Sequence, residues 1–169
     1  MAAVISVSQE VRNQVQDLVY ETCLLLNEEK WTEFLELCDE SDFRYVVGNY
    51  SPEIGKDQYW LDLDFGGMKH LVEMLPVHNS DHAKLTRHPT MLKVLKSQND
   101  AFATAITGMT IYRTHEDGGY AHLEGGSTSL YLVGRYIDRV SLTKGQAKLL
   151  ERTVWLDTRQ LDIGSHYPF

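Results

Sequence analysis

The sequence predicts an α+β domain: a cone-shaped, curved antiparallel sheet with about three N-terminal helices packed on it. Three observations carry that expectation. Helical periodicity is confined to the first half of the chain, chiefly residues 8–38 and 66–75. From residue 84 onward, four segments rich in Thr, Ile, Val, Tyr and Leu alternate with turn signals. Helices followed by a run of strands is an α+β order, and long strands twist enough to curl the sheet they form.

The first helix is expected over "SQEVRNQVQDLVYETCLLLNE", residues 8–28. Ser8 is a suitable N-cap, and Val11, Val15, Leu18, Val19, Thr22, Leu25 and Leu26 recur on one face, with Arg12, Gln16 and Glu21 on the other. "KWTEFLELC" predicts a short second helix with Trp31, Phe34, Leu35 and Cys38 on one stripe. "FRYVV" alternates as a strand does, with Phe43, Tyr45 and Val47 to one side. Residues 48–63 read as an irregular aromatic excursion because Gly48, Pro52 and Gly55 interrupt them. "GGMKHLVEML" predicts a third helix that Pro76 ends. The strands follow in "KLTRHPTMLKVLKSQ", "AFATAITGMTIYRT", "SLYLVGRYIDRVSL" and "AKLLERTVWLDTRQL", with turns expected at "SQND", at "HEDGGY" and through Lys144 and Gly145. Gly125 and Gly126 are expected to form a bulge or bend within a long strand.

The 169 residues are 43% hydrophobic and 24% charged, which suits one core and a single domain over residues 1–169. A net charge of -8 without any basic run argues against nucleic acid as a partner. The opening "MAAVISVSQE" lacks the basic and apolar regions of a signal peptide, and no apolar run approaches the ~20 residues of a membrane span. A cytoplasmic protein without a membrane partner is the expectation. Cys23 and Cys38 fall at apolar helix positions and read as buried, reduced thiols.

"PVHNSDHAKLTRHP", residues 76–89, brings three histidines and Asp81 together. His78, Asp81 and His82 could converge on a metal only from a helix, whereas Pro76 and "NSD" make the stretch a loop and Pro89 extends the chain after His88. The expectation is that these histidines hold no metal. The chain also lacks the Cys-His pairs that a Rieske cluster needs.

"LYLVGRYIDRV", residues 130–140, followed by "LLERTVWLDTRQLD", residues 149–162, resembles the closing part of the small (β) subunits of Rieske-type ring-hydroxylating oxygenases, a family with the cone fold of the nuclear-transport-factor-2-like superfamily. The matching positions are Val133, Gly134, Arg135, Asp138, Arg152, Leu156, Asp157 and Leu161. Asp42 and Tyr45 near the start, and Thr86, Arg87 and His88 at the entry to the first long strand, resemble the same family more loosely. The likeness spans most of the chain and is sharp only toward its end. "VVGNYSPEIG" is led by glycine where the family has proline, and "DLDFGGM" replaces its usual acidic run, which leaves the substrate class open. There is a faint resemblance to the small subunits of methanesulfonate-type oxygenases.

The resemblance implies a mainly structural subunit of an oxidoreductase complex, of the kind used in aromatic hydrocarbon catabolism. It implies no cofactor in this chain, a Rieske iron–sulfur cluster and a mononuclear iron in a large (α) partner, self-association as a trimer, and an α3β3 hexamer. It assigns structural or assembly roles to Arg87, Arg135, Asp138, Arg152 and Asp157, with Asp138 set between Arg135 and Arg152 across adjacent strands. The closing "DIGSHYPF" is too apolar for a free tail and is expected to dock on a neighbouring strand or subunit. Two alternatives share the fold. One is a stand-alone enzyme performing acid–base isomerisation or dehydration with Tyr45, Asp64, His88 and Tyr112 around a pocket. The other is a ligand-binding dimer without chemistry.

Overall fold

Helix α1 (Gln9–Asn27) starts where the Ser8 hydroxyl accepts the Val11 N–H at 3.3 Å. In the computed structural model, residues 7–78, 83–96, 101–115, 125–143, 146–160 and 167–169 are described. The turns expected at 97–100 and 144–145, most of the turn at 115–120, and Asp81 and His82 lie outside them. Val15, Leu18, Val19, Cys23, Leu25 and Leu26 of α1 are buried, as the helical spacing requires. Burial of each larger aliphatic side chain contributes roughly 1.5–3 kcal/mol. Helix α2 (Trp31–Glu36) follows and inserts Phe34 into the same core.

Six strands form one sheet: β1 (Arg44–Ser51), β2 (Lys56–Asp64), β3 (Lys84–Lys96), β4 (Phe102–Thr114), β5 (Thr128–Ser141) and β6 (Lys148–Leu156). Their order is β2-β1-β6-β5-β4-β3. The sheet is antiparallel except where β1 runs parallel to β6, a departure from the expected meander. Alternation sets the faces. Along β4, Ala103, Ala105, Thr107, Met109, Ile111 and Arg113 point toward the helices and are buried. Pro89 is tolerated because β3 is an edge strand.

Three expectations are corrected. The excursion at 48–63 is largely a hairpin, with β2 pairing β1 from Lys56 to Asp64 across a turn where Gly55 takes φ +64°. Strand β2 escaped notice because its residues are exposed from Lys56 to Trp60, so it carries no burial alternation. Pro76 does not end the third helix: α3 runs Phe65–His78. A proline there gives up only the bond to the residue 72 carbonyl, in a last turn whose own carbonyls lack helical donors. His78 is therefore on a helix, not a loop. Finally, Gly125 and Gly126 lie in the turn that leads into β5, with Gly126 at φ +82°. No helix among the described residues is long and apolar enough to cross a membrane.

Candidate functional site

The concave face of the sheet closes over a polar centre inside the core. Cross-strand register puts Asp138 of β5 opposite Arg152 of β6. Arg152 donates from Nε and Nη2 to the two Asp138 oxygens at 2.9 and 2.8 Å, and from Nη2 to the Thr22 hydroxyl of α1 at 2.8 Å. Its guanidinium carbon lies 4.2 Å from the Tyr136 ring centroid. Arg152 and Asp138 are both fully buried. Burial opposes the charge on Arg152, but the adjoining carboxylate more than offsets this and holds it protonated.

A second guanidinium approaches from the other side. Arg87 of β3 donates from Nη1 to Asn27 Oδ1 at 3.1 Å and from Nη2 to the Pro168 carbonyl. Pro168 and Phe169 turn into the chain's own cone. The Phe169 N–H donates to the Tyr45 hydroxyl at 2.8 Å, and that hydroxyl donates to a main-chain oxygen of Phe169 at 3.2 Å. The Phe169 ring lies 6.2 Å from Tyr131, and Tyr167 stacks on Trp31 at 5.8 Å. The apolar tail expected from the sequence thus docks on several elements of its own chain. Burial pushes the Tyr45 hydroxyl up to about 12 and raises Tyr136 as well, while Arg87 and Arg152 pull both back part of the way.

The expected trio is corrected to a pair. Asp138 meets Arg152, but Arg135 is exposed on the opposite face, where it is registered with Trp155. Positions 135 and 138 are separated by an odd step, and a strand sends such residues to opposite sides. Arg87, which only the fold brings near, is a further inward-facing cation, as is the buried Arg113 of β4. Asp157 is exposed, and its N–H donates to the Val133 carbonyl at 2.9 Å, folding the end of β6 over the Val-Gly-Arg segment.

Of the residues named for acid–base chemistry, Tyr45 is buried against Phe169, while Asp64 is exposed and caps α3 by accepting the Gly67 N–H at 2.8 Å. His88 and Tyr112 pack edge to face at 5.3 Å on the outer, exposed face of the sheet. The structure brings together only His88 and Tyr112. A groove of about 450 Å³ beside Glu36, Asp39, Lys69 and Lys148 is lined by none of the four. Among the described residues, no cluster of three His, Cys, Asp or Glu side chains could hold a metal.

Cys23 and Cys38 are free and buried. Burial raises both thiols, Cys38 from 9.0 to about 12. A raised folded value means that stability is complete below pH 9 and falls as the pH climbs toward 12, where the unfolded thiol ionises and the folded one does not. Urea midpoints should therefore drop between pH 9 and 12, with a shallower drop in Cys38→Ala. At pH 8 a disulfide-exchange reagent should label neither thiol of the native chain and both after denaturation. Rapid native labelling would contradict their burial.

Six curled strands with helices on the concave side, and an interior filled by the chain's own side chains, define a cone-fold α+β domain of the nuclear-transport-factor-2-like kind. No family model matches the sequence. The chain is 34% identical over 161 residues to the methanesulfonate monooxygenase hydroxylase β subunit of Methylosulfonomonas methylovora, covering 95% of this chain and 88% of that one. It is 32% identical over 154 residues to the 2-aminobenzenesulfonate 2,3-dioxygenase β subunit of an Alcaligenes species, covering 91% and 96%. A chain of naphthalene 1,2-dioxygenase, solved with indole bound, superimposes with a TM-score of 0.74 at 17% identity, covering 93% and 84%. The chain belongs to the small (β) subunits of Rieske-type ring-hydroxylating oxygenases.

Proposed function

We propose that this chain is a mainly structural subunit of a multicomponent Rieske non-haem iron oxygenase, supporting the assembly of catalytic large subunits. One observation carries the reading: the polar interior is occupied by the chain's own groups, while the outer face of the sheet carries several exposed large apolar side chains. Leu92 is 62% exposed and Leu130 56%, with Leu95 and Tyr112 beside them on that face. Patches of this kind mark protein interfaces. In the proposed complex, the Rieske cluster and the mononuclear iron belong to the large subunit. The small subunits form a trimer capped by three large ones, in the cytoplasm.

The test is co-expression with an iron-bearing large subunit, followed by light scattering. The expected result is one species with the mass of an α3β3 hexamer. Leu92→Asp and Leu130→Asp should reduce co-purification by about ten-fold or more, since a carboxylate at a buried contact costs well over 1.4 kcal/mol unless paired. A monodisperse monomer that ignores every Rieske partner would overturn the proposal.

A further inference from the structure

The exposed apolar side chains of the sheet fall into two groups near its opposite ends. One lies toward edge strand β3, where Leu92 and Leu95 stand beside Leu130 and Tyr112. The other lies toward edge strand β2 and consists of Tyr50, Tyr59 and Trp60. Tyr59 packs on Trp155 at 6.4 Å and so shares the outer face with the first group. Both edges carry a bulge. The register skips Leu92 in β3 and Trp60 in β2, and a bulge re-aims the side chain it leaves unpaired. Bulges, with Pro89 in β3, also keep either edge from taking up another strand. The two ends differ in charge. In a chain of net charge -8, β3 contains no Asp or Glu. Its Lys84 and Lys93 are exposed and have no ion-pair partner among the described residues. Lys93 and Leu95 flank the buried Val94, so both face outward. Strand β2 contains three Asp and one Lys. Asp62 pairs with Arg44 and Asp64 caps α3. Asp57, on the same face as Tyr59, is left without an ion-pair partner among the described residues.

We propose that copies of this chain associate head to tail, the β3 end of one outer face docking on the β2 end of the next, with Leu92 packed on Trp60 and Lys93 paired with Asp57. The inference rests on the self-association in the proposed function and adds the polarity of the contact. Two β3 ends brought together would set lysine against lysine, and two β2 ends would set aspartate against aspartate. Only the mixed contact joins apolar to apolar and opposite charge to opposite charge. A contact between two different surfaces repeats from copy to copy until a ring closes. Because the sheet curls, its two ends face in different directions, as each member of a three-membered ring requires.

The test is zero-length carbodiimide cross-linking of the full chain, alone and co-expressed with a large subunit, followed by peptide mass spectrometry. Species of two- and three-chain mass should contain an amide between Lys93 and Asp57. Lys93→Arg keeps the charge but offers no amine, so it should remove that amide and leave assembly intact. Lys93→Glu and Asp57→Lys should each weaken self-association about ten-fold or more, since like charges set against each other across an interface are strongly disfavoured. Combining the two restores opposite charges and should return self-association to within about three-fold of the parent chain. That rescue separates a contact from a general loss of folding, and the cross-link in the unaltered chain needs no variant to fold. An assembly in which no amide joins Lys93 to Asp57 would overturn the inference and leave the proposed function standing. So would a double variant that associates no better than either single one. A chain that stays monomeric with and without a large subunit would overturn both.

Discussion

Asp138→Ala is expected to destabilise the chain by about 3–5 kcal/mol, the typical cost of removing one partner of a buried ion pair. The substitution leaves the Arg152 guanidinium without its counter-charge in a site with no solvent exposure. Among the described residues, the Thr22 hydroxyl and the face of Tyr136 would remain to it. Domains of this size are stable by about 5–15 kcal/mol, so much of the margin disappears. The urea midpoint should fall steeply, and assembly should fail in proportion. Replacing both partners by apolar residues of similar size, Asp138→Leu with Arg152→Met, should cost far less, because the desolvation of two charges is removed along with their attraction. An Asp138→Ala chain with native melting and native assembly would show that the pair is not what secures β5 to β6.

Gly134→Ala should be the next most damaging change, costing about 1–3 kcal/mol as an overpacked substitution. Gly134 points inward where β6 crosses most closely. A Cβ there would lie 2.4 Å from the Trp155 carbonyl oxygen and 3.0 Å from the Leu156 Cα. Both are backbone atoms of the paired strand, so no rotamer change relieves the clash. The Val133 carbonyl, one residue away, accepts the N–H groups of Asp157 and Thr158, and any widening of the strands strains those bonds. Gly66→Ala is the contrasting case. Its Cβ meets nothing closer than 3.6 Å, and a helical alanine should be neutral or gain roughly 0.5–1 kcal/mol. Thermal melts of the two variants should move in opposite directions or, at the least, differ by several degrees. Equal melting would indicate that the strands separate at Gly134 without penalty.

These two residues also show what was legible in the sequence. The Val-Gly-Arg and Leu-Asp segments marked the β5–β6 hairpin, and the structure supplies the reason for the glycine: a close backbone crossing. Asp138 and Arg152 were recognised as partners because adjacent strands of one hairpin bring such residues face to face. Arg135 was misplaced although strand parity alone excluded it. Strand β2 was illegible for a different reason. Its first five residues are exposed on both faces, and only Leu61 and Leu63 near its end pack on the core, too short a run to write an apolar side into the sequence. The roles of Arg87 and Phe169 depend on register between β3 and β4 and on the path of the closing residues, neither of which leaves a local pattern. Helix α1, by contrast, was readable almost residue by residue, because one continuous face packs on the sheet.

The parallel pairing of β1 with β6 has a consequence in time. It joins Arg44 to Glu151 and Asn49 to Leu156, contacts separated by roughly a hundred residues, and closure of so long a loop slows folding. On the ribosome, the β1–β2 hairpin emerges well before the strand that will flank it. Until β6 arrives, the hydrogen-bonding edge of β1 is open to other chains. Synthesis of this subunit therefore includes an interval of exposure to misassociation, and slowing translation after the hairpin should lengthen it.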